Sequence, residues 1–440
     1  MPMNSTICAS ATASGGAIGI IRISGTDAIS IANSIFSKDI MDAPANSVIF
    51  GNILSEQEAT VTEASASSLN GIIDEVLLTI FRAPHSYTGE DSVEISCHGS
   101  AYIMQSILQL LCNHGCRMAT AGEYTQRAFL NGKMDLSQAE AVADLIASNN
   151  AASHRIALQQ MRGGISSLLA QLREQLLELT TLLELELDFS EEDVEFADRQ
   201  KLTTLALDIQ NEILRLSNSF STGNALKNGI PVAIIGAPNV GKSTLLNQLL
   251  EDDRAIVSDI QGTTRDIIED TISINGILFR FIDTAGIRHT NDIIESMGIQ
   301  RSIKAAEKAQ IIIMLTEPGV PFPEIDIRKD QTVIKITNKS EHFQAINGLG
   351  IDNLRNKLIK AVPKVSNEYV IITNLRHKEA LDRALIDIHR SIDSLQLNLS
   401  SDLISEDLRQ CLFHLAEITG GQITSDEVLG NIFKNFCIGK

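Results

Sequence analysis

Two kinds of hydrophobic spacing divide this chain of 440 residues. Up to about residue 131, short apolar runs such as Gly19-Ile-Ile-Arg-Ile23 and Glu75-Val-Leu-Leu-Thr-Ile-Phe81 alternate with turns, which is typical of strands in an α+β domain. From Leu136 onward, apolar residues recur every three or four positions, and Ser137-Gln-Ala-Glu140 has the spacing of a capping box. The pattern predicts a sheet-containing N-terminal region followed by helices.

The helical periodicity returns near the C-terminus, so the chain has two apolar helical stripes: Leu169, Leu172, Leu176, Leu179 and Leu183 in one, and Leu408, Leu412, Leu415 and Ile418 in the other. Neither region is expected to bury its stripe alone, so we expect both to share one helical bundle that is discontinuous in sequence. The predicted domains are residues 1–131 (N-terminal α+β domain), 132–226 (first part of the bundle), 227–364 (inserted α/β nucleotide domain) and 365–440 (second part of the bundle with a C-terminal tail).

The segment Gly236-Ala-Pro-Asn-Val-Gly-Lys-Ser243 has the phosphate-loop pattern G-x-x-x-x-G-K-[ST]. It follows an apolar run, Val232-Ala-Ile-Ile235, and precedes a predicted helix. Backbone N–H groups at such a helix start bind phosphate, the Lys242 ammonium reaches the β- and γ-phosphates, and the Ser243 hydroxyl ligates Mg²⁺. A glycine-rich turn with a chance lysine is the alternative, and the flanking strand and helix argue against it.

Three further motifs follow in the order that a GTPase needs. Gly262-Thr-Thr-Arg-Asp266 supplies hydroxyls for Mg²⁺ and the γ-phosphate, and Asp283-Thr-Ala-Gly286 supplies a carboxylate and an N–H group for the same parts of the site. Asn338-Lys339 follows a predicted strand, as a guanine-reading N-K-x-D element does, although Glu341 stands at the position of the aspartate. We favour guanine over adenine, because nothing in the chain points specifically to adenine. The predicted nucleotide-binding residues are Asn239, Val240, Gly241, Lys242, Ser243, Thr244, Ser258, Asp259, Ile260, Gln261, Gly262, Thr263, Thr264, Asp283, Thr284, Ala285, Gly286, Asn338, Lys339 and Glu341.

The residue that would orient the attacking water is missing from its usual place. Ile287 stands where Ras-like enzymes have a glutamine, and an isoleucine side chain cannot hydrogen-bond water. Either the chain hydrolyses GTP feebly or another residue takes this role. Glu295 is the candidate catalytic residue, and its alternative is a solvated acid on a surface helix.

The composition of the chain limits which partners it can bind directly. The net charge is −19 and aromatic residues make up only 4% of the chain, so any nucleic-acid substrate needs a local basic patch or a basic partner.

Four residues, Cys97, His98, Cys112 and Cys116, suggest a zinc site, but their spacing does not fit common sites and we favour ordinary thiols. The absence of a leader, of a long apolar run and of a disulfide pattern predicts a cytoplasmic protein that is not in a membrane.

The architecture and motifs together resemble the MnmE (TrmE) family of tRNA-modification GTPases over essentially the whole chain. The resemblance is carried by Ala83-Pro-His-Ser-Tyr-Thr-Gly-Glu-Asp91, Ala121-Gly-Glu-Tyr-Thr-Gln-Arg-Ala-Phe-Leu-Asn-Gly-Lys-Met-Asp135, Asp283-Thr-Ala-Gly-Ile-Arg288 and Phe436-Cys-Ile-Gly-Lys440. It implies an α+β folate-binding and dimerisation domain, a discontinuous helical bundle and an inserted Ras-like P-loop GTPase domain. It also implies a homodimer that works with an MnmG-type FAD protein, in a heterotetramer, to modify carbon 5 of the wobble uridine of certain tRNAs.

The resemblance also implies ligands and their residues. A 5-formyl-tetrahydrofolate, or a related one-carbon folate, would be bound by Arg22, Glu94, Lys133 and Lys440, whose charges suit the folate carboxylates and the pterin N–H groups. Mg²⁺ would be held by Ser243 and Thr264, and K⁺ by Asn239, Ser258, Ile260 and Thr263 in the place of an arginine finger. Glu295 would orient water. Cys437 is either a nucleophile or a small buried anchor.

Two other functions fit parts of the sequence. A GTPase that acts as a ribosome-assembly or RNA-binding factor would be expected to carry a basic RNA-binding appendage after the GTPase domain, whereas the C-terminal region here is helical and has no G-x-x-G loop. A folate-binding scaffold without GTPase activity would be expected to have a broken phosphate loop, and the loop here is intact. The sequence therefore favours a GTPase coupled to tRNA modification.

Overall fold

The computed structural model describes residues 5–55, 71–188, 199–251, 270–282, 304–362, 370–421, 426–434, 436 and 439. Its contacts divide the chain into two compact units. Unit 1 comprises Met1–Ala143 and Thr419–Lys440, and unit 2 comprises Asp144–Ile418. The C-terminal segment of the chain therefore belongs to the same unit as the N-terminal region.

Unit 1 contains a mixed six-stranded sheet formed by β1 (Ile7–Ser10), β2 (Ile18–Ser24), β3 (Ser47–Leu54), β4 (Ile72–Phe81), β5 (Ser92–His98) and β6 (Arg117–Met118). The strand order is β3-β4-β5-β2-β1-β6. Buried and more exposed side chains alternate along β4, which is the period of a strand with one face against a core. In the antiparallel pairing of β2 with β5, Arg22 lies directly opposite Glu94.

The helices of unit 1 are α1 (Ala28–Ser34), α2 (Ala101–Asn113), α3 (Glu123–Leu130), the start of α4 (Leu136–Ala147) and the C-terminal α12 (Asp426–Phe433). Residues of α1 and α2 pack with the sheet in one core that includes Ile23, Leu78, Ile95 and Ile107. Leu429 and Phe433 of α12 pack against Leu136 and Ala139 of α4 in a second, smaller core. The α+β prediction for the N-terminal region is confirmed.

The start of α4 differs from the predicted capping box. Asp135, not Ser137, caps the helix: its Oδ1 accepts hydrogen bonds from the Gln138 backbone N–H at 3.0 Å and from the Ser137 hydroxyl at 2.7 Å. The Gln138 side-chain oxygen accepts from the Asp135 N–H at 3.0 Å, which completes a reciprocal box. The box is therefore displaced by two residues from the predicted one, because the aspartate begins the same spacing earlier.

The sheet of unit 2 has the architecture predicted for a nucleotide domain. Its strands are β7 (Ile230–Gly236), β8 (Asp270–Ile274), β9 (Ile277–Phe281), β10 (Ile311–Thr316) and β11 (Thr332–Thr337), in the order β11-β10-β7-β9-β8. All neighbouring pairs are parallel except β8 with β9. The helices α8 (Lys242–Glu251) and α9 (Ile351–Ala361) contribute Leu245, Leu249, Leu354 and Leu358 to a core with the sheet.

The remaining helices of unit 2 are α5 (Ala151–Met161), α6 (Gly164–Asp188), α7 (Arg199–Asn228), α10 (Leu375–Gln396) and α11 (Ser401–Thr419). Leu172 and Leu176 of α6 belong to the same buried core as Leu408 and Leu415 of α11. The prediction that the two helical regions share one bundle is confirmed. The four predicted domain boundaries stay a prediction.

Candidate functional site

The phosphate-loop segment connects β7 to α8, as predicted. Asn239 and Gly241 both have left-handed backbones, with φ of 62° and 97°. A Cβ atom on Gly236 would lie 2.4 Å from the Leu315 carbonyl oxygen, and one on Gly241 would lie 2.4 Å from the Asn338 side-chain nitrogen. Both glycines are therefore required by close approach to neighbouring parts of the site.

The Lys242 ammonium folds back over this loop. It donates to the Gly236 carbonyl at 2.7 Å and to the Ala237 carbonyl at 2.9 Å. Burial lowers the pKa of the Lys242 ammonium below its usual value. A phosphate at the start of α8 would offer this cation a stronger acceptor than two neutral carbonyls, because charge-assisted hydrogen bonds to anions are stronger.

Other predicted residues of this segment lie on the first turn of α8 or next to it. Ser243 is the second residue of the helix, and Thr244, which follows it, is exposed. The Val240 side chain is buried, while Asn239 is exposed at the surface of the loop. The amide oxygen of Asn239 and the hydroxyl of Ser243 are both hard oxygen donors of the type that Mg²⁺ and K⁺ take.

Asn338 links the phosphate-loop segment to the predicted base-reading segment. Its side-chain nitrogen donates to the Val240 carbonyl at 2.8 Å, and its side-chain oxygen accepts from the Ala345 N–H at 2.9 Å. Asn338 is buried, so both of its polar ends are satisfied within the fold. The N-K-x-D-like spacing predicted that Asn338 belongs to the guanine-reading segment. The structure adds its contact with the phosphate loop.

The other two base-reading residues are exposed. Lys339 has a φ of 56°, and its ammonium donates to the Glu317 carboxylate at 2.5 Å. Glu341 lies in the turn that follows. Glu317 is a residue that the sequence analysis missed, since a single acid after a strand gives no signal of its own.

Many of the predicted nucleotide residues lie outside the described part of the chain. These are Ser258, Asp259, Ile260, Gln261, Gly262, Thr263, Thr264, Asp283, Thr284, Ala285 and Gly286, together with the candidate catalytic residue Glu295. Their roles remain predictions.

The predicted folate residues belong to unit 1, and two of them form an ion pair. The Arg22 guanidinium donates to one oxygen of Glu94 from Nε at 2.9 Å and from Nη2 at 2.7 Å. A third donor, Nη1, reaches the carbonyl of Gly439 at 3.2 Å. The C-terminal end of the chain thus reaches Arg22, although Lys440 and Cys437 lie outside the described residues.

Two tyrosines flank the same guanidinium, and the sequence analysis did not select them. The Arg22 guanidinium carbon lies 5.7 Å from the Tyr87 ring centre and 5.6 Å from the Tyr124 ring centre. The Tyr124 hydroxyl donates to the Arg22 carbonyl at 2.8 Å, and burial raises the pKa of both tyrosines. Each tyrosine lies in one of the segments that carry the family resemblance, and that membership was the signal by which both could have been selected from the sequence.

Lys133 contacts the segment that contains Tyr87. Its ammonium donates to the Pro84 carbonyl at 2.9 Å, and its side chain is exposed. The structure therefore joins Arg22 to Glu94 directly and places Lys133 against the neighbouring loop.

A buried ion-pair network supports α3, which carries Tyr124. Glu123 accepts from Arg117 at 2.6 Å and from Arg127 at 3.0 Å, and Arg127 also contacts Glu90 at 3.1 Å. Burial alone would raise the pKa of the Glu123 carboxyl, but hydrogen bonds from Arg117, the Thr120 backbone and Arg127 lower it to about 2. Glu123 is therefore ionised at neutral pH.

The cysteines considered above as zinc ligands are free thiols in the structure. Cys97 and Cys116 are buried, and Cys112 is half-buried. Within the described ranges, no group of three or more His, Cys, Asp and Glu residues has a geometry that could hold a metal ion. No helix in that part of the chain is both long and apolar enough to cross a membrane.

Comparison with protein families gives two matches. Residues 136–437 match the MnmE helical domain, and residues 6–133 match the N-terminus of the GTP-binding protein TrmE. Among solved structures, the cytosolic domain of the T. maritima FeoB iron transporter in its GMPPNP form overlaps 43% of this chain and 98% of that chain, at 14% identity. Its TM-score of 0.21 is too low to support an inference.

Several curated proteins are similar over their full length. A tRNA modification GTPase MnmE of Bacteroides fragilis (strain YCH46) is 54% identical, with 99% of both chains covered. The proteins of the same name from Bacteroides thetaiotaomicron and Flavobacterium johnsoniae are 53% and 49% identical, again with 99% of both chains covered. Together with the two family matches, this similarity shows that the chain belongs to the MnmE (TrmE) family of tRNA modification GTPases.

Proposed function

We propose that this protein is a K⁺-stimulated GTPase that takes part in modification of carbon 5 of the wobble uridine of certain tRNAs, with a formyl-tetrahydrofolate as the source of the one-carbon unit. The observation that carries the proposal is the phosphate loop, whose Val240 carbonyl accepts from the buried Asn338, in a chain that is 54% identical over its length to a protein named tRNA modification GTPase MnmE. Family and site chemistry thus support the same activity.

In this proposal the chain's own residues bind and orient GTP. Lys242 exchanges its two carbonyl acceptors for phosphate oxygens, and the N–H groups at the start of α8 bind the same anion. Asn338 holds the base-reading segment against the phosphate loop, and Lys339 and Glu341 would contact the guanine. Glu295 orients the attacking water, since Ile287 cannot.

The residues proposed to hold the two cations all offer oxygen atoms, the donors that Mg²⁺ and K⁺ prefer. Ser243 would hold Mg²⁺ together with Thr264, and Asn239 would hold K⁺ together with Ser258, Ile260 and Thr263. When bound, the cations offset the negative charge that develops on the phosphates during hydrolysis.

The cluster of side chains around Arg22 suits a folate by its chemistry. A guanidinium, a carboxylate and two aromatic rings lie together, and a folate offers carboxylates, N–H donors and a flat ring system. Arg22 and Glu94 are paired with each other and would contact the same end of a folate, where Glu94 would accept from pterin N–H groups and Arg22 would hold that carboxylate in place. Lys133 and Lys440 would add positive charge.

The proposed assembly is a homodimer with an MnmG-type FAD protein, in a heterotetramer that acts in the cytoplasm, where its tRNA substrate is found. The net charge of −19 supports recruitment of tRNA together with a partner, because an acidic surface repels nucleic acid.

Nucleoside analysis of tRNA tests this function directly. Cells that lack the protein should contain unmodified wobble uridines, and the wild-type gene should restore the modification whereas Lys242→Ala should not. Unchanged wobble uridines in the deletion strain, with an altered ribosome profile, would instead favour the ribosome-assembly alternative.

A further inference from the structure

The turn between β8 and β9 contacts the first turn of α5. This two-residue turn consists of Asn275 and Gly276, both left-handed with φ of 51° and 75°. The Gly276 carbonyl accepts from the Ala152 N–H at 3.2 Å. A Cβ atom on Gly276 would lie 2.9 Å from the Cβ of Ala151, which is closer than real Cβ contacts. The tip of the hairpin is therefore seated tightly on this helix.

The helix that receives the hairpin is fixed at both ends. At its start, Asn150 caps α5 by accepting from the Ser153 N–H at 2.9 Å. At its other end, Gln160 donates to the Ile371 carbonyl at 2.9 Å and to the Thr373 hydroxyl at 3.2 Å. Because Ile372 belongs to the core of the helical bundle, α5 connects that core to the hairpin.

The hairpin is in turn connected to the proposed nucleotide site. Phe281 of β9 pairs with Val232 of β7, and the Ile282 N–H donates to the Val232 carbonyl at 3.0 Å. β7 runs into the phosphate loop, and Asp283, proposed above as part of the GTP site, follows Ile282 in the sequence. A shift of the hairpin would therefore move β9 and, with it, the point at which the chain enters the segment that begins with Asp283.

The side of the hairpin is less tightly packed than its tip. A cavity of about 260 Å³ lies beside it, lined by Thr271 and Leu278 of the hairpin and by the ion pair of Asp144 with Lys227, whose nearest atoms are 2.6 Å apart. The hairpin is therefore packed closely at its tip and loosely along this side.

We propose that Gly276 and Ala151 are positioning residues for GTP hydrolysis, which act by seating the β8–β9 hairpin on α5. The inference rests on the proposed GTPase function. The proposed nucleotide-binding groups of the phosphate loop and Asn338 follow β7 and β11, whereas Asp283 follows β9, the strand of the hairpin itself. Disturbing the contact should therefore slow hydrolysis of bound GTP while leaving GTP affinity nearly unchanged.

Gly276→Ala tests the contact, because its methyl group cannot fit against Ala151 without a shift. We expect the single-turnover rate to fall roughly tenfold, since a misplacement of about 1 Å has effects of this order or larger. The dissociation constant of a GTP analogue should change less than about twofold. Adding Ala151→Gly to the same chain should restore the rate, because it removes the atom that the new methyl group meets.

Gly319→Ala is the matched control. Gly319 has a φ of 82° and nothing within 4 Å of its added Cβ, so the substitution brings the same backbone strain without a new contact. Equal rates for wild type and Gly276→Ala would overturn the inference. So would an equal loss in Gly319→Ala, or a loss that Ala151→Gly does not rescue.

A second variant covers the case in which Gly276→Ala does not fold. Ala151→Leu adds bulk at the same contact from an exposed position of a helix and leaves the nucleotide domain unchanged. It should slow hydrolysis in the same way, and an unchanged rate would again overturn the inference. A wild-type protein that does not hydrolyse GTP would instead contradict the proposed function.

Discussion

The two candidate sites of this protein are built in opposite ways. The phosphate loop is formed by consecutive residues between one strand and one helix, and its contacts are mostly backbone groups, including the two carbonyls that hold Lys242. The Arg22 cluster of unit 1 is formed by Arg22, Glu94 and Gly439, which are far apart in sequence and meet because the Arg22 guanidinium contacts the Glu94 carboxylate and the Gly439 carbonyl. The first site depends on local backbone shape, and the second depends on the whole fold of its unit.

This difference predicts different sensitivities. Backbone N–H and carbonyl groups do not titrate, so the phosphate loop should keep its shape over a wide range of pH. The Arg22 cluster of unit 1 includes Tyr124 of α3, and the neighbouring Glu123 forms an ion-pair network with Arg127 of the same helix and with the half-buried Arg117 of β6. Protonation of a carboxylate in that network removes the partner of a buried cation, which is costly.

The largest effect that we expect concerns hydrolysis at the nucleotide site. Glu295→Ala should lower turnover on the order of a hundredfold or more, or about 3 kcal/mol of barrier, because it removes the group that orients water. GTP should still bind. Single-turnover hydrolysis in K⁺ measures the effect, with Glu324→Ala, an exposed acid of the same domain, as control. A fully active Glu295→Ala would make Glu295 an ordinary surface acid.

The next effect concerns the stability of unit 1. The Glu123 pKa is lowered from 4.5 to about 2 in the folded protein, so its stabilisation is complete above about pH 4.5 and is lost as the pH falls toward 2. Glu123→Gln should therefore lower the free energy of unfolding by roughly 2 kcal/mol at neutral pH. The difference from wild type should shrink progressively in acid.

Thermal or denaturant unfolding between pH 7 and pH 2 measures this difference. Glu212→Gln is a suitable control, since Glu212 forms a more exposed pair with Arg215 in unit 2 and should contribute much less. A difference between Glu123→Gln and wild type that does not change with pH would contradict the assigned role of Glu123.

The third effect concerns the cation. Replacing Na⁺ by K⁺ should raise the hydrolysis rate about tenfold or more, because a fixed cation stabilises the charge that develops on the phosphates. Asn239→Ala should abolish this response while GTP still binds. The test is to measure single-turnover hydrolysis rates of both proteins in Na⁺ and in K⁺ at equal ionic strength. Equal rates for the wild-type protein would refute a K⁺ site.

The smallest effect concerns the base reader. If the longer Glu341 side chain reads guanine less well than an aspartate, Glu341→Asp should tighten GTP binding by a few-fold, on the order of 1 kcal/mol, without changing turnover of the bound nucleotide. Titration with GTP and ATP checks both affinity and selectivity. Equal binding of ATP and GTP by the wild-type protein would overturn the guanine assignment.

The contrast between the two sites also explains what the sequence could predict. The phosphate loop follows from the spacing of a few residues, and its flanking elements appear in the structure as β7 and α8. The pairing of Arg22 with Glu94 depends on the register of β2 and β5, which no local pattern specifies. Without the family resemblance, neither residue would have been selected.

Other features were beyond the reach of periodicity. The approach of the C-terminal Gly439 to Arg22 joins residues 417 positions apart. The start of α4 was predicted at the right turn but with the wrong cap, since Asp135 and Ser137 both begin a capping-box spacing and only the backbone decides between them. The contact of Gly276 with α5 likewise depends on tertiary packing.

Titration of two ligands against three proteins tests the central claim, which is that one chain carries separate nucleotide and folate sites. A nonhydrolysable GTP analogue and 5-formyl-tetrahydrofolate would each be titrated into the wild type, Lys242→Ala and Arg22→Ala by calorimetry. The account predicts that Lys242→Ala loses affinity only for the nucleotide and that Arg22→Ala loses affinity only for the folate. Unchanged folate affinity in Arg22→Ala, or loss of both ligands in either folded variant, would contradict it.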